Sequence, residues 1–326
     1  MEMKTDLINT NFKTDFAEDV YKGLTAFPKY VSSKYFYDEK GDKLFQQIMA
    51  MPEYYLTRAE LNIIKSNIEL IAEYFTTPNG FDLIELGAGD GKKTKVILEY
   101  LVENDFNFNY LPIDISQHAL NHLEASLKKE IPLLSVKPQQ GSYFKVLEKL
   151  TSLNKRKKVI LFLGSNIGNL PHSRAVQFMK EIQKSMCKSD ILFMGFDQKK
   201  HPQKILDAYN DKSGITEAFN KNVLTRINNE LDADFNPNEF LHWETYDPQT
   251  GTAKSFLVSK KKQSVAINKL NLEVNFEKWE AMHTEISQKY DDNTVKWLAE
   301  ESGLHISESI TDEDENFKNY FFRRLA

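Results

Sequence analysis

The sequence predicts an α/β protein: a doubly wound parallel sheet ending in an antiparallel hairpin, joined to a smaller second domain. Three observations carry this expectation. From about residue 57 short apolar runs alternate with amphipathic helical stretches, the first run stops at a glycine-rich turn, and the chain ends with two extended segments after a helix. Runs that are apolar throughout read as strands buried on both faces, the habit of a parallel sheet covered by helices.

The elements follow in order. ThrArgAlaGlu at 57–60 reads as a capping box, with Thr57 as cap and Glu60 reaching back, opening one amphipathic helix through Phe75. PheAspLeuIleGluLeu (81–86) is the first strand, and a helix from about Lys92 to Val102 follows it. AsnTyrLeuProIleAsp (109–114) is the second strand, with a helix from Ser116; LeuSerValLysPro (134–138) is the third, with a helix near 144–152. ValIleLeuPheLeu (159–163) and IleLeuPheMetGlyPhe (191–196) flank a helix from about Ser173 to Cys187. Between 198 and 286 the rhythm changes to helix, roughly 202–231, and then to alternating segments such as LysSerPheLeuValSer (254–259), which predicts an inserted substrate region. A helix near 292–302 and extended segments at 304–310 and 317–325 return to the core. The expected division is therefore 60–197 with 287–326 for the core domain, and 1–59 with 198–286 for the substrate domain.

Composition narrows the function classes. With 41% hydrophobic and 27% charged residues the chain has material for a packed core and lacks the polar bias of disorder. Lys+Arg 42 against Asp+Glu 47 leaves a net charge of −5, without the basic excess of a nucleic-acid binder, so a small-molecule partner is expected. Apolar runs such as 159–163 fall far short of the ~20 residues that span a bilayer, and the N-terminus lacks the apolar stretch of a secretory signal. Cys187 stands alone, which excludes an internal disulfide and fits a reducing cytoplasm; a cytoplasmic monomer is expected.

The first strand runs into Gly87, Gly89 and Gly91, spaced G-x-G-x-G, with Glu85 just upstream and Asp114 ending the next strand. In a doubly wound sheet ligands bind beyond the strand ends, where glycine lets backbone approach without a Cβ in the way. A carboxylate at the second strand end can accept hydrogen bonds from both hydroxyls of an adenosine ribose. Dinucleotide binders favour G-x-G-x-x-G, which sets a pyrophosphate on the helix N-terminus. The spacing here, with the acid upstream and the terminal hairpin, is the habit of S-adenosylmethionine-dependent methyltransferases. Dinucleotide binding and plain chain reversal are the competing readings of this turn.

Longer segments then match one family. YFYDEKGDKLF (35–45), PEYYLTRAE (52–60), LGAGDGKKT (86–94), FLGSNIGNL (162–170), AYNDKSGITEAFNKNVL (208–224) and TEISQKY (284–290) together resemble the histidine-specific Nα-methyltransferases of ergothioneine biosynthesis. The resemblance implies a Rossmann-like class I methyltransferase sheet, with the N-terminal segment and the insertion forming a second domain over the cofactor cleft. It implies that Gly87, Lys93 and Asp114, with Gly141, Ser142 and Tyr143, hold S-adenosylmethionine. Tyr37, Tyr54, Gly164, Asn169, Tyr209, Glu285 and Ser287 are implied as the amino-acid pocket. Asn169 and Tyr209 would grip the α-carboxylate and α-amine region, Glu285 and Ser287 the two ring nitrogens, and Tyr37 and Asn169 are the candidates for the chemical step, Tyr37 assisting loss of the amine proton. Ser255 stands near where the family has a larger apolar side chain, so a roomier or more polar ring pocket is expected, and tryptophan or another small amine is the competing substrate. A cofactor-binding but inactive pathway partner is the reading from another class.

Other features have plain explanations. His118 and His122, four apart on one helix, lack a third ligand nearby and read as surface histidines rather than zinc ligands. LysArgLysLys (155–158) and LysLysLys (260–262) read as solvated loops. Asn166, at a position that the resemblance implies is variable, is harmless if it faces the sheet.

Overall fold

The computed structural model describes residues 12–87, 91–114, 117–153 and 156–325. Gly89 of the glycine turn, Ser116, Lys155, the side chain of His118 and the first eleven residues lie outside that set. In chain order the elements are α1 (Asp15–Thr25), α2 (Glu39–Ala50), α3 (Leu56–Ser66), α4 (Ile68–Phe75), β1 (Phe81–Leu86), α5 (Lys92–Glu103), β2 (Phe108–Asp114), α6 (Gln117–Glu130), β3 (Gln139–Gln140), α7 (Tyr143–Leu153), β4 (Lys157–Phe162), α8 (His172–Lys184), β5 (Ile191–Asp197), α9 (Pro202–Tyr209) and α10 (Ile215–Leu231). They continue with β6 (Phe240–Asp247), β7 (Thr252–Ser259), β8 (Gln263–Ile267), β9 (Leu272–Phe276), β10 (Ala281–Gln288), α11 (Asp292–Glu301), β11 (Leu304–Thr311) and β12 (Phe317–Arg324). The chain divides into two compact units: residues 1–54, 202–247 and 253–286, and residues 55–201, 248–252 and 287–326.

The larger unit is built on a seven-stranded sheet in the order β11-β12-β5-β4-β1-β2-β3. β3, β2, β1, β4 and β5 run parallel, and β12 pairs antiparallel with both β5 and β11, so the terminal hairpin closes the sheet as expected. Residues such as Ile84, Ile160, Leu192 and Met194 are wholly buried, which explains why these strands carry no polar alternation. The apolar rule has exceptions inside β1, where Asp82 and Glu85 are also buried. Lys157 and Lys158, expected in a solvated loop, open β4; Lys158 is buried and paired with Asp190 at 2.8 Å. The third strand is shorter and later than the apolar run suggested: LeuSerValLysPro contributes only a single bridge, Val136 to Tyr110, before β3.

The expected helix from 57 to 75 is two. Asn67 leaves helical geometry (φ −124°, ψ 23°) and its side chain donates to Ile63 O at 2.8 Å, ending α3 before α4 begins. The capping box does not form either: α3 starts at Leu56 without a side-chain cap, and Glu60 turns into the protein interior. The stretch 202–231 also divides, at Asn210 to Gly214. There Gly214 takes φ +76° and the Asp211 carboxylate accepts from the amides of Ile215 (3.0 Å) and Thr216 (2.8 Å), capping α10.

The smaller unit packs α1, α2 and α10 with the sheet β10-β7-β6 and the hairpin β8-β9. Its core includes Phe36, Phe219, Val223, Leu257, Val265 and Phe276. Asp38 ties α2 to α10: its carboxylate caps Gly41 N at 2.7 Å and accepts from Asn222 Nδ2 at 2.8 Å. The boundary between the units falls within β10, after Ile286.

Candidate functional site

In the larger unit the cofactor candidates converge at the ends of β1 and β2. Gly87 takes φ +76°, a region closed to most side chains, and a Cβ there would meet the Tyr143 hydroxyl at 2.7 Å. Tyr143 opens α7, and Gly141 just before it donates its N–H to the carbonyl of Asp114 at 2.9 Å, at the close of β2. Asp114, Gly141, Tyr143 and Gly87 thus form one rim, with Ser142 exposed between Gly141 and Tyr143. Desolvation raises the Tyr143 phenol, and the charges of Asp114 and Glu85 raise it further, so the hydroxyl stays protonated.

Glu85 is the anchor of this rim rather than part of its surface. Its carboxylate is buried and accepts from the hydroxyls of Thr94 on α5 and Tyr110 on β2, locking the turn between strand and helix. Burial raises its pKa, against the lowering effect of those two hydrogen bonds.

Glu60 is the residue that sequence reasoning missed. Wholly buried on α3, it accepts from Lys93 Nζ at 2.6 Å, Gly164 N at 2.7 Å and Asn319 Nδ2 at 3.0 Å. One carboxylate therefore gathers Lys93, expected at the cofactor, and Gly164, expected at the substrate. Gly164 has φ +81°, and a Cβ there would come within 3.2 Å of Lys93 Nζ. The signal for Glu60 lay within the matched segment PEYYLTRAE, but helix-start chemistry explained it first.

Asn169 ends the short helical turn Asn166–Asn169 and is exposed. Asn166 is exposed too and bonds Leu163 O at 3.1 Å, so it does not face the sheet. Gly168 lies so close to the next chain segment that a Cβ would meet Gln288 O at 2.9 Å, which sets Asn169 and Ser287 one residue either side of a backbone contact. Ser287 is 9% exposed and accepts from Lys289 Nζ at 2.7 Å.

In the smaller unit the aromatic candidates gather around Phe45 and Phe219. The Tyr37 ring lies 5.4 Å from Phe45 and 5.3 Å from Phe219, Phe45 lies 6.3 Å from Tyr54, and Tyr54 lies 6.4 Å from Tyr209. Although the Tyr37 ring is 41% exposed, its hydroxyl is desolvated and faces the negative charge of Glu285 and the Tyr209 hydroxyl, all of which push its pKa up. The surroundings hold Tyr37 as a neutral phenol and oppose a phenolate base. Ser255 Oγ lies 2.7 Å from Glu244 Oε2 and 3.3 Å from Glu285 Oε2, so this small side chain brings polarity and a second carboxylate toward Glu285. Tyr37, Tyr54, Tyr209 and Glu285 are therefore brought together.

Among the described residues no cluster of His, Cys, Asp and Glu could hold a metal ion, and no helix is long and apolar enough to cross a membrane. His122 is exposed on α6. A glycine turn that a Cβ would fill, beside a strand-end carboxylate, fits a small adenosyl cofactor lying against backbone.

Comparison with known proteins agrees with the geometry. The sequence profile described as "Histidine-specific methyltransferase, SAM-dependent" matches residues 16–324. The Histidine N-alpha-methyltransferase of Mycolicibacterium smegmatis is 34% identical over 295 residues, covering 90% of this chain and 90% of its own length. The Histidine N-alpha-methyltransferase of Mycobacterium tuberculosis is 33% identical over 299 residues, with 92% of each chain covered. More distant is the 4-dimethylallyltryptophan N-methyltransferase of Penicillium roqueforti, 23% identical, covering 92% of this chain and 91% of its own. With the sheet, the glycine rim and near-complete matches in agreement, this chain belongs to the family of histidine-specific, S-adenosylmethionine-dependent methyltransferases.

Proposed function

We propose that the protein methylates the α-amino nitrogen of L-histidine, to the trimethyl betaine hercynine, in ergothioneine biosynthesis. The observation that carries this is the grouping of Tyr37, Tyr54 and Tyr209 with Glu285, in a chain of the histidine-specific family. S-adenosylmethionine supplies a methyl group already activated on sulfonium. What the chain must add is position: a neutral amine held in line with the S–CH₃ bond. Gly87, Lys93, Asp114, Gly141, Ser142 and Tyr143 would hold the cofactor, Asp114 accepting from the ribose hydroxyls. Tyr54, Gly164, Asn169 and Tyr209 would hold the amino-acid end, Glu285 would accept from a ring N–H, and Ser287 would meet the other ring nitrogen.

Tyrosine faces also suit the ammonium as methyl groups accumulate, through cation–π attraction of ~0.5–2 kcal/mol. A neutral Tyr37 can pass the amine proton on through its hydroxyl. We further read the enzyme as a cytoplasmic monomer, in keeping with a sequence that has a single cysteine, Cys187, and so no internal disulfide. Incubation with labelled S-adenosylmethionine and each common amino acid, followed by mass measurement, tests the substrate. Histidine gaining three methyl groups is expected; label moving to tryptophan instead would overturn the histidine assignment.

A further inference from the structure

The two oxygens of the Glu60 carboxylate have different neighbours. Oε1 accepts from Asn319 Nδ2 at 3.0 Å, while Oε2 accepts from both Lys93 Nζ at 2.6 Å and the Gly164 amide at 2.7 Å. The carboxylate is also boxed in by the backbone of β5, where a Cβ on Gly195 would overlap Oε1. Lys93, in the first turn of α5, keeps 20% of its side chain exposed while Glu60 keeps none. An ammonium has three donors, so Lys93 has donors beyond the one given to Glu60. Its nitrogen lies 3.2 Å from where a Cβ on Gly164 would be, in space that a side chain at 164 would take.

A carboxylate oxygen offers about two lone-pair directions, and both on Oε2 are taken. The two donors come from different segments, α5 behind the glycine turn and the loop after β4, and they compete for the charge of one atom. A second carboxylate at Lys93, such as that of the methionyl end of S-adenosylmethionine, would draw on the ammonium and loosen its hold on Oε2. That oxygen would then accept more strongly from Gly164 N and firm the loop that carries Gly164 and Asn169. Fixing Lys93 also removes motion that Gly164 shares with it through the common oxygen. Both effects have the same sign. We propose that Glu60 is a positioning residue that couples the two ligands: cofactor bound at Lys93 strengthens binding of the amino acid at Gly164 and Asn169. By linkage, the amino acid strengthens cofactor binding by the same factor. This rests on the assignment of Lys93 to S-adenosylmethionine and of Gly164 and Asn169 to the amino acid.

The test is calorimetric titration of S-adenosylhomocysteine with and without saturating histidine, and of histidine with and without S-adenosylhomocysteine, in the wild type and Glu60→Gln. In the wild type each ligand should tighten the other about fivefold to tenfold. Glutamine keeps an acceptor for Gly164 N, and its N–H can meet Asn319 Oδ1, which is buried with no hydrogen-bond partner, once that amide turns over. Its oxygen carries no net charge and holds the Lys93 ammonium less firmly, so the coupling should fall to about twofold or less. A wild type in which neither ligand affects the other overturns the proposal. So does a Glu60→Gln protein that binds both ligands more weakly with the coupling intact, which leaves Glu60 a structural role. If Glu60→Gln does not fold, hydrogen exchange at the Gly164 amide of the wild type decides: S-adenosylhomocysteine should slow it, and an unchanged rate overturns the proposal. A wild type that binds S-adenosylhomocysteine but never histidine brings down the substrate assignment instead, and exchange at Gly164 then decides the role of Glu60.

Discussion

The Tyr143 hydroxyl stands 2.7 Å from the point where a Cβ on Gly87 would lie, while the next ring atom, Cζ, is 3.8 Å away. Gly87→Ala therefore meets two obstacles, the phenol oxygen and a φ of +76°. The backbone share is about 1–2 kcal/mol for an L-residue. The steric share belongs to one oxygen atom. Gly87→Ala should weaken S-adenosylhomocysteine binding at least tenfold by calorimetric titration, to order of magnitude, and adding Tyr143→Phe should restore part of the loss. A double variant no better than the single one would place the obstacle elsewhere.

Glu60 predicts a stability effect that a capping residue would not have. Removing a buried carboxylate strands the charges and donors around it at a cost of about 3 kcal/mol, more than the roughly 1 kcal/mol of a helix cap. Glu60→Ala should lower the urea-unfolding free energy by the larger amount, and Glu60→Gln by less, since an amide still offers Gly164 N an acceptor. A loss near 1 kcal/mol or below would mean that Lys93 and Gly164 do not depend on Glu60.

These two residues also mark what the sequence could and could not disclose. β1 was legible because a strand buried on both faces is apolar locally, and the glycine turn was legible because positive φ constrains residue type at the position itself. Glu60 was not, because its partners lie 33, 104 and 259 residues away and nothing near it distinguishes an inward carboxylate from a capping one. The same holds for Lys158, read as part of a solvated loop and buried by the fold against Asp190, and for Lys289, whose buried pairing with Asp197 no neighbouring residue signals. The helix break at Asn67 was missed because the apolar period continues past a single Asn, and the one at Asn210 to Gly214 was missed although Asn, Asp, Ser and Gly there carried a turn signal.

His242 should make the protein acid-sensitive. Burial on β6 is the main cause that lowers its pKa from 6.5 to about 4, and Lys221 lowers it too, against Glu217 and Asp211, which raise it. Because the folded value lies below the unfolded one, this contribution is intact above the unfolded pKa and is lost as the pH falls from 6.5 through about 4, where the unfolded chain binds the proton more readily. The loss amounts to about 3 kcal/mol. Burial lowers His172 and His283 as well, so they add in the same sense. Urea unfolding between about pH 7 and pH 4 should show a smaller drop in His242→Phe than in the wild type; equal drops would mean the ring is hydrated.

Glu285 should decide ring selectivity, and Ser255 should modulate it. Ser255 has one proton to give, and at 2.7 Å Glu244 is better placed to take it than Glu285 at 3.3 Å. Glu285 has lone pairs enough to accept from a ligand donor as well, beside a hydroxyl that limits its motion. A substrate without a ring N–H forgoes that hydrogen bond to a carboxylate, a difference of roughly 1.5–3 kcal/mol, about tenfold to a hundredfold in selectivity. Glu285→Ala should therefore lower kcat/KM for histidine by about that factor while changing phenylalanine and tryptophan little, narrowing the gap between them. Ser255→Ala should lower histidine by a smaller factor, through KM, because the acceptor survives with less restraint. The measurement is kcat/KM for the three amino acids by methylated-product mass. If Glu285→Ala reduces all three equally, the carboxylate serves the amino-acid end or the fold, and some other group recognises the ring.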